Sequence, residues 1–285
     1  MDVIELMKKE LFRRNYSRRT IKTYLFCLRR FLKYCHKEPK KINNNDLKEY
    51  LFRLKSNGVS GSTLNVHLNA LKFVMEHILG KKFVVNIRYS KTPNRVPIVL
   101  SQEEVFRLIW VIKNKKHNLM MKLMYGAGLR VSELVHLRVR DLELENNFGW
   151  VRKGKGDKDR LFIIAENINQ KFQEYIRENN LGPDSWLFHG NKRRHLSQKS
   201  VYEIVRKSAK KAGIKKKVHP HTLRHSFSTH LIENGYDVSS VQSLLGHNSM
   251  ETTMVYIHMA NPRMISVKSP LDNLGDFDSE VGAEK

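Results

Sequence analysis

Four short strings in a chain of 285 residues carry side chains suited to phosphate chemistry. In Gly128-Leu129-Arg130-Val131-Ser132-Glu133 one helical pattern ends and another starts, so Arg130 stands beside the N–H groups of a helix start, a place that favours a phosphate. In Gly154-Lys155-Gly156 the lysine has no bulky neighbours, and its ammonium can reach deep into a groove. The glycine spacing and final Lys-Ser/Thr of a nucleotide-binding loop are absent there. In Val218-His219-Pro220-His221-Thr222-Leu223-Arg224-His225, Pro220 suits a first helical position, which sets His221 and Arg224 one turn apart on one face: a titratable ring beside a permanent cation. Finally, Leu244-Leu245-Gly246-His247 precedes Asn248 and Glu251, the signal of a fresh helix with Tyr256 about two turns in.

Taken singly, each string also has a plainer explanation. Arg130 reads equally as a surface arginine after a glycine turn, Lys155 as the tip of a solvated hairpin, and Tyr256 as an amphipathic residue at a core edge. His221 and His225 are spaced i, i+4, as helical metal ligands are, but no glutamate stands between them and no cysteine is near. No metal and no cofactor are expected.

The composition narrows the setting. With 52 Lys and Arg against 28 Asp and Glu, the formal net charge is +24, which calls for a polyanionic partner. Nucleic acid is the first candidate. A membrane surface is the competitor, disfavoured because the basic residues are spread along the chain and not gathered on one aromatic-bearing amphipathic helix. Apolar runs are too short to span a bilayer, and no secretory pattern follows Met1 to Glu5. Cys27 and Cys35, eight residues apart in one expected helix, form neither a disulfide framework nor a zinc motif, so a cytoplasmic location fits best.

The elements that must position the four strings follow from periodicity. Residues 1–80 read as a bundle of four short helices: Val3 to Leu11, a long run capped by Ser17, Asp46 to Leu54, and a run after Ser62 carrying Leu64, Leu68, Leu71, Met75, Ile78 and Leu79. Arg18, Arg19 and Lys22 lie off the apolar stripe of the second helix and are candidate DNA contacts, as are Lys153 and Lys158 around the glycine-rich tip. Residues 81–97 read as a basic linker, 98–268 as a second domain and 269–285 as an acidic tail. Within the second domain, Ser101 to Glu104 opens a helix with a capping box, and strands Phe148 to Arg152 and Arg160 to Ile164 flank Lys155. Helices return at Glu166 to Glu178, Ser197 to Ala212, Pro220 to Asn234, Asp237 to Leu245 and Ser249 to His258. The fold class expected is mainly α with a small β-hairpin or sheet.

In their order and local contexts, Arg130, Lys155, His221, Arg224, His247 and Tyr256 resemble the tyrosine recombinase (phage integrase) family across both domains. Gly-Leu-Arg-Val-Ser-Glu, Gly-Lys-Gly, His-Thr-Leu-Arg-His and Leu-Leu-Gly-His followed nine residues later by Tyr256 carry the likeness. Any one string is weak, and their ordered conjunction is strong. The Xer group, which resolves chromosome dimers, is the nearer likeness, because the chain has no additional arm-binding domain and its ending Ser269 to Leu274 is similar to that of archaeal members. The resemblance implies an N-terminal core-binding bundle with a SAM-like fold and a catalytic domain. Tyr256 would form a 3′-phosphotyrosine link, with Arg130 and Arg224 clamping the phosphate, His221 taking the tyrosine proton, His247 adding a donor and Lys155 protonating the leaving oxygen. Glu133 would orient this cluster without reacting. A homotetramer on two double-stranded sites of the dif type, exchanging strands through a Holliday junction, is implied too, with no membrane involved. Three alternatives remain: a recombinase of a plasmid or mobile element, a type IB topoisomerase and a catalytically idle DNA-binding protein.

Overall fold

The computed structural model describes residues 2–83, 96–152, 159–191 and 194–245. The chain divides into two compact units, Met1–Arg95 and Val96–Lys285.

The first unit is built from α1 (Val3–Arg13), α2 (Arg18–Cys35), α3 (Asn44–Ser56) and α4 (Gly61–His77). Each helix starts where a short polar side chain can satisfy free N–H groups: Asp2, Ser17, Asn43 and Ser60 accept from the first turn. Where the sequence reading began the fourth helix after Ser62, the cap is Ser60, whose Oγ accepts from the Thr63 N–H, so Ser62 lies inside the first turn. Ile78 and Leu79 fall past the end of α4 and are half-buried. The stripe Leu25, Leu28 and Phe31 of α2 is buried in one core with Leu64, Leu68, Leu71 and Met75 of α4, which fixes which face of α2 stays in water. Arg18, Arg19 and Lys22 are on that wet face, exposed. Cys27 joins the core, where burial pushes its thiol up to about 11.

The second unit has more layers. It contains α5 (Gln102–Trp110), α6 (Lys115–Gly126), α7 (Val131–Val135), β1 (Leu142–Glu143), β2 (Phe148–Val151) and β3 (Arg160–Ile163). After these come α8 (Asn169–Glu178), α9 (Gln198–Lys211), α10 (Pro220–Glu233) and α11 (Val238–Leu245). The capping box at Ser101 and Glu104 forms as expected. The strands make one antiparallel sheet in the order β1-β2-β3, with Phe148 opposite Ile163 and Val151 opposite Arg160. The hairpin read from sequence thus gains a third strand, β1, too short at two residues to show any alternation. The main core, with Leu108, Met120, Leu134, Phe162, Phe172 and Val205, joins helices and sheet, and a smaller cluster of Phe227, Ile232, Val241 and Leu245 packs α10 against α11.

α10 occupies the middle of this unit. Ten of its residues, from Pro220 to Ile232, are buried, including Thr222, Arg224, Ser226, Ser228 and His230. A helix covered on most sides must satisfy its polar groups internally. Ser226 and Ser228 donate to the carbonyls of Thr222 and Arg224, and the Ser226 hydroxyl accepts the N–H of Leu100. The Tyr125 hydroxyl of α6 lies 2.7 Å from His230 Nδ1.

Candidate active site

Glu133 is the hub. As the third residue of α7 it reaches back one turn, and its Oε2 accepts the N–H of Arg130 at 2.8 Å. The sequence left that helix start open for a phosphate; the carboxylate of Glu133 occupies it instead, and α7 is only five residues long. Arg130 Nη1 donates to Glu133 Oε1 at 2.6 Å, and Arg160 Nη2 to Oε2 at 2.7 Å. Arg224 Nη1 stands 4.0 Å from the same Oε2. One carboxylate therefore faces three guanidiniums. Burial works against its ionisation, but the Arg160 charge, the Arg130 N–H and the Arg130 guanidinium outweigh that and hold the carboxyl below the usual range.

Arg224 is 3% exposed, an extreme position for a guanidinium that only full hydrogen bonding sustains. Its Nη1 donates to the Gly128 carbonyl at 2.6 Å and its Nη2 to the Leu245 carbonyl at 2.7 Å. The turn needs glycine at 128, because the backbone there is left-handed, at φ 56°, and a β-carbon would stand 2.4 Å from the Phe227 ring. Arg224 thus joins the turn before Arg130 to the end of α11.

His221 sits in the first turn of α10 and keeps part of its surface in water. Partial burial of the ring, then the charges of His219, Arg224 and Arg130, lower its pKa, while Glu133 opposes them. The imidazole is consequently neutral at pH 7 and able to accept a proton. Its centroid lies 6.4 Å from that of His225. Among the described residues, no group of three or more His, Cys, Asp or Glu side chains could hold a metal ion, and no helix is long and apolar enough to cross a membrane.

Of the residues singled out from sequence, the fold gathers Arg130, Glu133, His221 and Arg224 from two elements, α7 with its N-cap and α10. Lys153, Lys155, Lys158, His247 and Tyr256 lie outside the described residues, as do the helix expected at Ser249 to His258 and the acidic tail. Arg18, Arg19 and Lys22 belong to the other unit. A cleft of about 690 Å³ opens beside Arg130 and is lined by Arg138, Arg140, Arg152 and Trp186, with the Arg138 guanidinium 4.3 Å from the Trp186 ring centroid. Arg160 is the residue that sequence reasoning missed. Its partners, Glu133 and the Leu244 carbonyl, are remote along the chain, and its only local signal is a half-buried arginine at the start of a strand.

Comparisons with known proteins bear on this arrangement directly. Residues 99–263 match the phage integrase family, and residues 3–84 match the phage integrase N-terminal SAM-like domain. The chain is 34% identical over 288 residues to a tyrosine recombinase XerA of Pyrococcus furiosus, covering 99% of this chain and 97% of that one. To a tyrosine recombinase XerD of Oceanobacillus iheyensis it is 34% identical over 273 residues, covering 88% and 91%. Among solved structures, the XerH site-specific recombinase bound to palindromic difH substrate, in a post-cleavage complex, matches with a TM-score of 0.71 at 28% identity, over 88% of this chain and 79% of that one. The chain belongs to the phage integrase family: it is a tyrosine recombinase, mainly α-helical with a small antiparallel sheet, and a site-specific DNA recombinase.

Proposed function

We propose that the protein resolves chromosome dimers in the cytoplasm by cutting and rejoining short DNA sites of the dif type as a homotetramer. Residues 98–268 carry the chemistry, and the helical bundle of residues 1–80 adds DNA contacts. The observation that carries this reading is the convergence of Arg130 and Arg224, from separate elements, on Glu133, 2.6 and 4.0 Å from its carboxylate. Two guanidiniums fixed this way offer donors to both non-bridging oxygens of a scissile phosphate and to the charge that grows there in the transition state.

The remaining roles follow from residue type. The Tyr256 hydroxyl attacks phosphorus, its proton passes to neutral His221, and the bond to the 5′ oxygen breaks. That oxygen leaves as a basic alkoxide unless protonated, and Lys155 supplies the proton. His247 donates to the same phosphate. The products are a 3′-phosphotyrosine link and a free 5′-hydroxyl, which attacks the link on the partner duplex and reverses the step. The bond exchanged is conserved in the link, so the reaction needs no nucleotide cofactor. Two such exchanges pass through a Holliday junction.

The relatives named XerA and XerD favour this over a plasmid or mobile-element role. The experiment is a suicide substrate carrying a dif-type site of the host chromosome, nicked so that the short 5′-hydroxyl strand diffuses away. Accumulation of a covalent protein–DNA adduct is expected. Cleavage that leaves no protein on the DNA rejects the mechanism, and an adduct only on a mobile-element end rejects the chromosomal role.

A further inference from the structure

Arg160 is a half-buried arginine, its side chain 10% exposed, that the mechanism above does not use. It begins β3, the strand that follows Lys155 in the sequence, and opposes Val151 of β2. One arm of its guanidinium, Nη2, meets Glu133 Oε2 at 2.7 Å, and the other, Nη1, meets the Leu244 carbonyl at 2.6 Å. Its Nε has no partner among the described residues. A buried ion pair of this kind is a poor device for stability, because removing two charges from water costs about as much as their attraction returns. Placement is the better account of what it does.

We propose that Arg160 is a positioning residue for strand cleavage, acting through Glu133 and through the end of α11. The inference rests on the recombinase reading and concerns charge first. Glu133 would otherwise neutralise one of the two guanidiniums meant for the phosphate. With Arg160 as its counter-ion, Arg130 and Arg224 keep their charge for the phosphate.

Geometry supplies the second half. The last carbonyls of a helix have no intrahelical partner and carry its negative end. At α11 the Leu244 carbonyl is taken by Arg160 and the Leu245 carbonyl by Arg224. Two arginines thus cap the helix from which the chain continues to His247 and Tyr256. A planar fork with divergent donors can serve both acceptors at once, whereas a lysine ammonium on a flexible stem serves one well. Arg160 thereby links the start of the strand after Lys155, the Glu133 hub and the segment leading to the nucleophile.

The test uses the full chain and a suicide dif-type substrate, comparing wild type, Arg160→Lys and Arg160→Met. Site affinity is measured by gel shift and adduct formation in a single turnover. Affinity should stay within about threefold of wild type while Arg160→Met forms adduct about 100-fold more slowly, the order of loss produced by misplacing reacting groups by about an ångström. Arg160→Lys should recover part of that rate, and Arg160→Met should slow a Glu133→Gln enzyme less than it slows wild type, because the two residues act together. Adduct formation by Arg160→Met at the wild-type rate overturns the inference. So do affinity, melting temperature and rate that fall in parallel in both variants, because that marks a purely structural residue. A wild-type chain that itself forms no adduct overturns the recombinase reading, and this inference with it.

Discussion

Burial and charge set the state of each side chain around α10. His225 is half-buried; burial, followed by the charges of His221, His219 and Arg224, pushes its pKa down to about 4. In the unfolded chain a histidine titrates near about 6.5, so between the two values the unfolded state binds the proton that the folded state refuses. Stability is therefore complete above pH of about 6.5 and declines as pH falls toward 4. His221 and His230, also lowered, act with the same sign. Between pH 7 and 5 the His225 contribution lost is about 1–2 kcal/mol, which denaturant unfolding at the two pH values would read. In His225→Gln that share of the pH dependence should vanish; a variant as acid-sensitive as wild type contradicts the assignment. At this scale the described part of the cluster was legible. Arg130, Glu133, His221 and Arg224 each sit in a local string whose turn or cap has a sequence signature. Arg160 does not: its meaning comes from Glu133 and Leu244, which only the fold brings to it.

Elements decide how rigidly those side chains are held. The turn from α6 into α7 works only with glycine at position 128, where a positive φ and contact with Phe227 both exclude a β-carbon. Gly128→Ala should destabilise the protein by at least about 2 kcal/mol, combining the left-handed penalty with displacement of the Phe227 ring. Because the Gly128 carbonyl holds Arg224, cleavage should fall as well. Chemical denaturation checks the first effect and adduct formation the second; a loss of stability below about 0.5 kcal/mol would show that the turn tolerates a side chain. Helix starts with clear caps, such as the one at Ser101, were readable to within a residue or two, whereas the end of that helix, expected near Lys113, falls at Trp110. The fourth helix was misplaced at its start because Ser60, Ser62 and Thr63 all offer hydroxyls, and only geometry selects Ser60. β1 was invisible because two residues carry no period. The covering of α10 was hidden for another reason: its buried serines and histidine look like a polar face until their internal partners are known.

Across the whole molecule the dominant quantity is charge. At +24 the protein must bind DNA largely through phosphates, with an affinity that falls steeply as salt rises. The exposed Arg18, Arg19 and Lys22 open α2 in the N-terminal unit. Replacing all three by glutamine in the full chain should weaken binding almost equally on cognate and random DNA and reduce the salt slope by about 2–3, since each phosphate contact contributes about 0.9. An unchanged slope would remove them from the interface. The central claim is covalent attachment through one tyrosine, and mapping the adduct tests it most directly. After trapping on the suicide substrate, protease digestion and mass spectrometry should place the nucleotide remnant on Tyr256, and Tyr256→Phe should bind the site with normal affinity yet form no adduct. A remnant on another residue such as Tyr236, or an adduct that persists in Tyr256→Phe, would contradict the account.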